Sequence, residues 1–486
     1  MDLCRRLKGI KKMRKTKIIC TLGPATDEEG VMEELIKSGM DVARFNFSHS
    51  GHEVHLERIN KLKKLREKYG SHVAALLDTK GPEVRLKHFK NGRINVNQGD
   101  KFTLTTEDIE GDETKISITY KDLPKDLSVG NRVLIDDGLI ELKVDELTDT
   151  DIICTVINGG TISDNKGVNV PDVKLSIPYL SRQDERDILF GIENGYDFIA
   201  ASFVSSASDV LQIRRLLEEN GCYTINIISK IENMEGVKNI DEIIQVSDGI
   251  MIARGDMGVE IPAEDVPIYQ KMIIKKVYGA GKQVITATQM LESMIKNPRP
   301  TRAETADVAN AIYDGTSAIM LSGETAAGKY PVEALNTMVK IALRTEGDID
   351  YRKRFFELMR KANPNVVDAI SHAAVTTALD LNARYIIALT KSGTTARLLS
   401  RYRPSCDIIA CTTHDYVARQ MNLSWGITPI VVEEKTDPFQ LIDYTVDKLL
   451  DMGLVEAEDK VVYTGGVPLK VSGTTNMIKV HIVERK

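Results

Sequence analysis

FIAASFVSSASDVLQIRRLLEENGCYTINIISKIE, residues 198–232, holds the pattern that decides the fold. Two apolar runs, FIAASF (198–203) and INIISKIE (225–232), flank a stretch over 208–220 in which Val210, Ile213, Leu216 and Leu217 recur at helical spacing. The runs read as strands buried on both faces, and the i, i+3, i+4 stripe reads as an amphipathic helix laid across them. Ser206 or Ser208 can cap the start of that helix and Gly221 its end. The same alternation recurs along the chain. Further strand candidates are TKIICTL (16–22), VARFNF (42–47), VAALLDT (73–79), GIMIARGD (249–256), QVITATQM (283–290) and AIMLSGE (318–324). Eight strands with helical stretches after nearly every one predict an α/β fold of the (β/α)8 TIM barrel type.

That barrel does not fill the chain. With 486 residues there is room for about three domains at the usual ~100–200 residues each. The 97 residues from Pro82 to Pro178 interrupt the alternation after the third strand. Their short runs KFTLTT, KISITY, RVLI, LIELKV and DIICTV are separated by turns, and Asp137-Gly138 suits a tight hairpin because both positions favour φ > 0. Residues 82–178 are therefore expected to form a small β-barrel lid, inserted at the C-terminal rim of a discontinuous catalytic barrel made of 1–81 and 179–347. After a charged linker helix, EGDIDYRKRFF, a C-terminal α/β domain over 348–486 is expected. Its strands are YIIALT (385–390), IIACT (408–412), ITPIVV (427–432), VVYTGG (461–466) and MIKVHIV (477–483), with helices over 366–381, 393–402 and 437–452.

Composition narrows the function. Lys and Arg number 64 against 70 Asp and Glu, a net charge of −6, which excludes the basic footprint of a nucleic-acid binder. No apolar run approaches the roughly 20 residues of a membrane span. The six cysteines, at 4, 20, 154, 222, 406 and 411, form no CxxC pair and read as small buried hydrophobes in a reducing compartment. The basic start, from Arg5 to Lys17, lacks the apolar segment of a secretory signal. It reads as a frayed leader rather than a targeting arm, and the cytoplasm is the expected location.

In such a barrel the chemistry sits at the C-terminal ends of the strands. Here those ends carry Arg44, Asn46 and Ser48; Asp78, Thr79 and Lys80; Lys230 and Glu232; Arg254 and Asp256; Thr288; and Ser322 and Glu324. Lys230 and Glu232 are two apart on a strand and so share a face. Alone they would read as a structural ion pair about as readily as a site. Asp256, one strand over, supplies a second carboxylate, and two carboxylates can hold Mg²⁺ (or Mn²⁺) with positions left for water and substrate oxygens. Lys230 then becomes a mobile charge able to follow a phosphoryl group. Arg44 and Arg85 are candidate phosphate clamps, each of which singly could be a rim ion pair. The GDMG turn at 255–258 offers backbone N–H groups to a carboxylate if a helix begins there. GETAAGKY (323–330) mimics a phosphate-binding loop but places Tyr330 where a hydroxyl should bind the metal and Glu324 where it would repel phosphate, so it is not read as one.

Taken in order, KTKIICTLGPAT, ARFNFSHS, LLDTKGPEVR, NKGVNVP, SKIEN, ARGDMGVEIP, ATQMLESM, NPRPTRAE, MLSGETAAGKYP, KSGTTARLLSRYRP and SGTTNMIKV closely resemble the pyruvate kinase family across essentially residues 14–486. Residues 1–12 precede that resemblance, since Met13-Arg14-Lys15 is similar to the start of the shorter bacterial enzymes. The resemblance implies transfer of the phosphoryl group of phosphoenolpyruvate to ADP, giving ATP and pyruvate, the final step of glycolysis. It implies that Glu232 and Asp256 hold Mg²⁺, that Lys230 stabilises the transferring group, and that Arg44 binds phosphate of substrate and nucleotide. Arg85 and the lid's Lys166 resemble nucleotide-phosphate contacts. Thr288, with the amides near Gly255 and Asp256, resembles the substrate carboxylate pocket, and Ser322 a member of the proton relay to the enolate. Asn46, Ser48, Asp78 and Thr79 match the family's K⁺ site. Members that dispense with K⁺ carry Lys where this chain has Glu83, so K⁺ activation is expected.

TKSGTT, with Thr390, Lys391, Ser392, Gly393, Thr394 and Thr395, resembles the phosphate loop of the family's effector domain. Animal enzymes use a Trp and an Arg for the second phosphate of fructose 1,6-bisphosphate, and DPFQLIDYT (437–445) has neither. The closing loop GGVPLKVSGTT differs from the animal one as well. A sugar-phosphate or nucleotide monophosphate effector is expected, without the extra C-terminal domain of some bacterial members. By resemblance the assembly is a homotetramer. Two other classes compete: a metal-dependent keto-acid aldolase or lyase, which needs neither the insert nor the phosphate loop, and a sugar-phosphate sensor on a dead kinase scaffold, which should have lost Lys230, Glu232, Asp256 or Thr288.

Overall fold

A strand buried on both faces has no solvent side to keep polar, and the barrel strands of the computed structural model are accordingly short and mainly apolar, with a few buried polar side chains such as Lys17, Arg44, Ser229, Gln283 and Thr286 among them. The structure describes residues 13–359, 365–468 and 474–484. Eight parallel strands close a barrel: β1 (Lys17–Thr21), β2 (Val42–Asn46), β3 (Ala74–Asp78), β4 (Phe198–Ala201), β5 (Asn226–Ile231), β6 (Gly249–Ala253), β7 (Gln283–Ala287) and β8 (Ala318–Leu321). The β1–β8 pairing, Lys17 with Ala318 through Cys20 with Leu321, shuts the ring. The helix expected after β4 runs Ala207–Glu219 with Ser206 as its N-cap, and Gly221 takes a left-handed φ of 69° just beyond it.

Between β3 and β4 lies a seven-stranded sheet with outer strands Val84–Arg85 and Lys115–Ser117, beside a two-stranded pair, Arg93–Val96 with Gly160–Ser163. It is not purely β, since Leu123–Asp126 forms one helical turn. Its own core gathers Phe102, Leu104, Ile116, Val133 and Leu142. The hairpin joining Arg132–Ile135 to Ile140–Leu147 turns through Asp136, Asp137 and Gly138 at φ 55°, 55° and 83°, with Leu139 N–H donating to Asp136 O.

The C-terminal unit is a five-stranded sheet ordered β11-β10-β9-β12-β13, from β9 (Tyr385–Leu389), β10 (Asp407–Thr412), β11 (Ile427–Val431), β12 (Lys460–Gly466) and the antiparallel edge strand β13 (Thr475–Ile482). It meets the N-terminal mouth of the barrel. Leu423 is fully buried in the same cluster as Phe198, Met251, Ile285 and Met320, which point into the barrel interior, so it plugs the bore. Around the plug, Arg419 Nε donates to Asp197 Oδ1 at 2.7 Å and Asn422 to His72 O at 2.5 Å. The basic leader at 1–12 and part of the closing loop, 469–473, lie outside the described residues. Among the described residues no helix is long and apolar enough to cross a membrane, and five cysteines are free thiols.

Candidate active site

The polar residues at the C-terminal strand ends converge because β2, β3, β4 and β5 are adjacent and nearly in step: Asn46 pairs with Asp78, and Asp78 with Ala200. Lys230, 8% exposed, is the centre of the group. Its Nζ lies 3.0 Å from Asp78 Oδ1, 2.7 Å from Ser202 Oγ and 3.0 Å from Glu232 Oε1. The other oxygen of Asp78 accepts from Arg44 Nε at 2.6 Å, and Arg44 reaches Thr21 Oγ1 at 3.1 Å. Burial would raise the Asp78 carboxyl, but Arg44 and Lys230 outweigh it and hold the group below the usual carboxylate range. Burial alone would discharge Lys230, yet Asp78, Glu232 and Asp256 together keep its ammonium charged more firmly than in water.

Glu232 shows the opposite balance. It is 1% exposed, its Oε2 accepts from Phe203 N–H at 2.5 Å, and its Oε1 makes no hydrogen bond beyond the ion-pair contact with Lys230. Burial, and then the charge of Asp256, push its carboxyl up to about 7 despite Lys230. Two carboxylates that repel in a dry site, one with an unbonded oxygen, fit a divalent cation. Among the described residues no group of three or more His, Cys, Asp or Glu is gathered as a metal cage. Asn46, Ser48, Asp78 and Thr79, the four residues that resemble the family's K⁺ site, each offer a side-chain oxygen. Asn46 Oδ1 accepts from Ser48 N–H at 3.1 Å, and Thr79 Oγ1 accepts from Ser202 N–H at 3.1 Å.

Asp256 belongs to the helix Arg254–Glu260, so the GDMG stretch is helical and not the polar turn expected. The helix that could aim N–H groups at a carboxylate does begin there. One of them, Gly255 N–H, donates to Thr288 Oγ1 at 2.7 Å. Thr288 sits at φ 67° and Gln289 at φ 53°, conformations costly for a β-branched residue and held here by Arg254, whose guanidinium donates to Thr288 O at 2.7 Å and pairs with Asp307. Ser322 Oγ is buried without a hydrogen-bond partner. Glu324 is turned away from any phosphate role, accepting from Ser322 N–H and Leu291 N–H at 2.7 and 3.0 Å.

The insert carries the nucleotide candidates. Arg85 makes a two-pronged pair with Glu83 (2.6 and 2.7 Å) and Lys166 pairs with Asp136 at 2.7 Å. The insert touches the barrel where Asn169 donates to Glu260 at 2.8 Å. The hairpin tip faces the same helix, where a Cβ on Gly138 would lie 3.9 Å from Val259, and the Asp137 carboxyl is pushed up by burial and by Asp256. Thr390, Lys391, Ser392, Thr394 and Thr395 belong to another place altogether, a cavity in the C-terminal unit walled also by Thr412, Glu433, Glu434 and Lys435. Gly393, at φ 80°, caps the helix Thr394–Arg401. Sequence reasoning missed Ser202 and Phe203. Their signal was a serine just past a strand end, the same signal that marked the other strands.

Family models for pyruvate kinase match residues 13–335 by the barrel domain and 368–481 by the alpha/beta domain. The chain belongs to the pyruvate kinase family. A pyruvate kinase of Clostridium acetobutylicum is 52% identical over 473 residues, covering 97% of this chain and 100% of the relative. One from Geobacillus stearothermophilus is 50% identical over 472 residues, 97% of this chain and 80% of the relative. The crystal structure of a pyruvate kinase from Cryptosporidium parvum superposes with a TM-score of 0.92 at 40% identity, covering 99% of this chain and 97% of that one. Membership makes this chain an enzyme of the transferase class, on a barrel with a C-terminal α/β unit as the sequence predicts.

Proposed function

We propose that this pyruvate kinase family member transfers the phosphoryl group of phosphoenolpyruvate to ADP with Mg²⁺ (or Mn²⁺) and K⁺ as its cofactors. The observation that carries the reading is the buried ammonium of Lys230 wedged among Asp78, Ser202 and Glu232, a positive charge fixed where a phosphoryl group can meet it. Thr288 and the first turn of Arg254–Glu260 orient the substrate carboxylate. Arg44 and Lys230 draw the phosphoryl oxygens into line, and Arg85 and Lys166 hold the nucleotide phosphates from the insert, exchanging Glu83 and Asp136 for them. The P–O bond to the enol oxygen breaks, the bond to the ADP oxygen forms, and the enolpyruvate left behind takes a proton at carbon, with Ser322 in the relay. Glu232 and Asp256 would hold the divalent ion, and Asn46, Ser48, Asp78 and Thr79 the K⁺; when bound, these ions neutralise the oxygens between which charge moves.

The cavity around Thr390–Thr395 suits a phosphate, with Lys391 and hydroxyls on one side. Glu433, Glu434 and Lys435 also line it, with Lys435 paired to Glu433 at 2.9 Å, and the carboxylates can accept sugar hydroxyls, in keeping with a sugar-phosphate or nucleotide monophosphate effector. Family membership supports a homotetramer, and the edge strand β13 exposes Val480 and Ile482. The unpaired thiols fit the cytoplasm.

The test is a time course of pyruvate and ATP from phosphoenolpyruvate, ADP and Mg²⁺ across a K⁺ titration. We expect equal amounts of both products and a rate that collapses when K⁺ is withdrawn. Pyruvate without ATP would mean transfer of the phosphoryl group to water and would overturn the assignment of ADP as acceptor, and neither product from folded protein would favour the lyase or the sensor.

A further inference from the structure

The end of the fourth barrel strand contributed no candidate, and the structure places two consecutive residues there on Lys230 and Glu232, the two central groups of the site. Ser202, 2% exposed, receives Lys230 Nζ at 2.7 Å, donates its own proton to Thr79 O at 2.7 Å, and stands 3.3 Å from Asp78 Oδ1. Its backbone N–H donates to Thr79 Oγ1 at 3.1 Å. Phe203, next along, is bent to φ 54°, and its N–H meets Glu232 Oε2. An aromatic residue in the left-handed region is an outlier that persists only where its surroundings enforce it.

We propose that Ser202 is a positioning residue that fixes the Lys230 ammonium and ties it to the monovalent-cation residues Asp78 and Thr79. The inference rests on the proposed function. Lys230 has three N–H donors and three neighbours, two of them carboxylates. In that reading each carboxylate serves another ion when the enzyme is loaded: Asp78 the K⁺ and Glu232 the divalent cation. Ser202 is the neighbour with no competing duty. Because its proton goes to Thr79 O, its lone pair is aimed at Lys230, so the contact is directional as well as close. A shift of Thr79 when the cation binds is passed through the Ser202 hydroxyl to Lys230. Losing that hydroxyl leaves Lys230 to follow whichever carboxylate attracts it most, off the line of transfer.

The experiment compares wild type, Ser202→Ala and Ser202→Cys. The cysteine fills the volume with a poor hydrogen-bonding group, so the pair separates packing from bonding. In both variants we expect kcat to fall by roughly 10- to 100-fold, the scale of a misplaced catalytic group. K⁺ half-saturation should rise several-fold, while Mn²⁺ binding measured by paramagnetic resonance and the thermal midpoint of Ser202→Cys stay near wild type. A wild-type kcat and K⁺ response in Ser202→Cys, or a loss of kcat with unchanged K⁺ response, would overturn the proposal. Absence of pyruvate formation in the wild type would instead overturn the reading beneath it.

Discussion

At the scale of single residues the site is a contest between burial and neighbouring charge, and Glu232 is where burial prevails. Its carboxyl, raised from an ordinary 4.5 to about 7, is easier to protonate in the folded protein than in the unfolded chain. The sign follows: in metal-free protein the penalty for its charge is absent below about 4.5, grows as pH rises, and is complete above about 7. A divalent cation must displace the proton. Titrating Mn²⁺ into metal-free enzyme at pH 6, in two buffers of different ionisation enthalpy, should release on the order of one proton per ion, and close to none at pH 8.5. A release independent of pH would contradict the placement of Glu232 at the ion. Lys230 and Glu232 were legible in the sequence as neighbours because residues two apart on a strand share a face, and Asp256 because it follows the end of the next strand. Ser202 carried the same strand-end signal, but one buried serine in an apolar run reads the same whether it holds a lysine or nothing. The partners of Arg85 and Lys166 were equally hidden: Lys166 and Asp136 are 30 residues apart, and only the folded insert brings them together.

Among the elements, the strands were legible and their terminal chemistry less so. QVITATQM reads as one run, yet β7 ends at Ala287 and the chain bends through Thr288 and Gln289 with positive φ, a feature no hydropathy pattern encodes. GIMIARGD likewise stops being strand at Ala253, because the helix Arg254–Glu260 begins in the next residue. The Asp137-Gly138 turn was readable, since local φ preference decided it. The contact between Leu423 and the barrel bore was not, because it depends on how a separate sheet docks. That plug can be weighed. Leu423→Ala leaves a hole among fully buried side chains, and denaturant unfolding should show a loss of about 2–5 kcal/mol with kcat for pyruvate formation within a few-fold of wild type. A loss below about 1 kcal/mol would mean that the bore closes without it.

The whole molecule divides its labour between the two mouths of one barrel. The C-terminal mouth carries the charged cluster and is overhung by the insert, and the N-terminal mouth is stoppered by the C-terminal unit through Leu423, Arg419 and Asn422. Family, fold and reaction class follow from that arrangement and its likenesses. The central claim is narrower: Lys230 is the cation that carries the phosphoryl group across. It is tested most directly by single-turnover ATP formation from bound phosphoenolpyruvate and ADP in wild type and Lys230→Met, with Mn²⁺ binding measured on the same samples. The account predicts that Lys230→Met still folds and still binds Mn²⁺, while ATP formation falls by about 10³-fold or more, the range of a lost transition-state charge. ATP formation within ten-fold of wild type in Lys230→Met would contradict it.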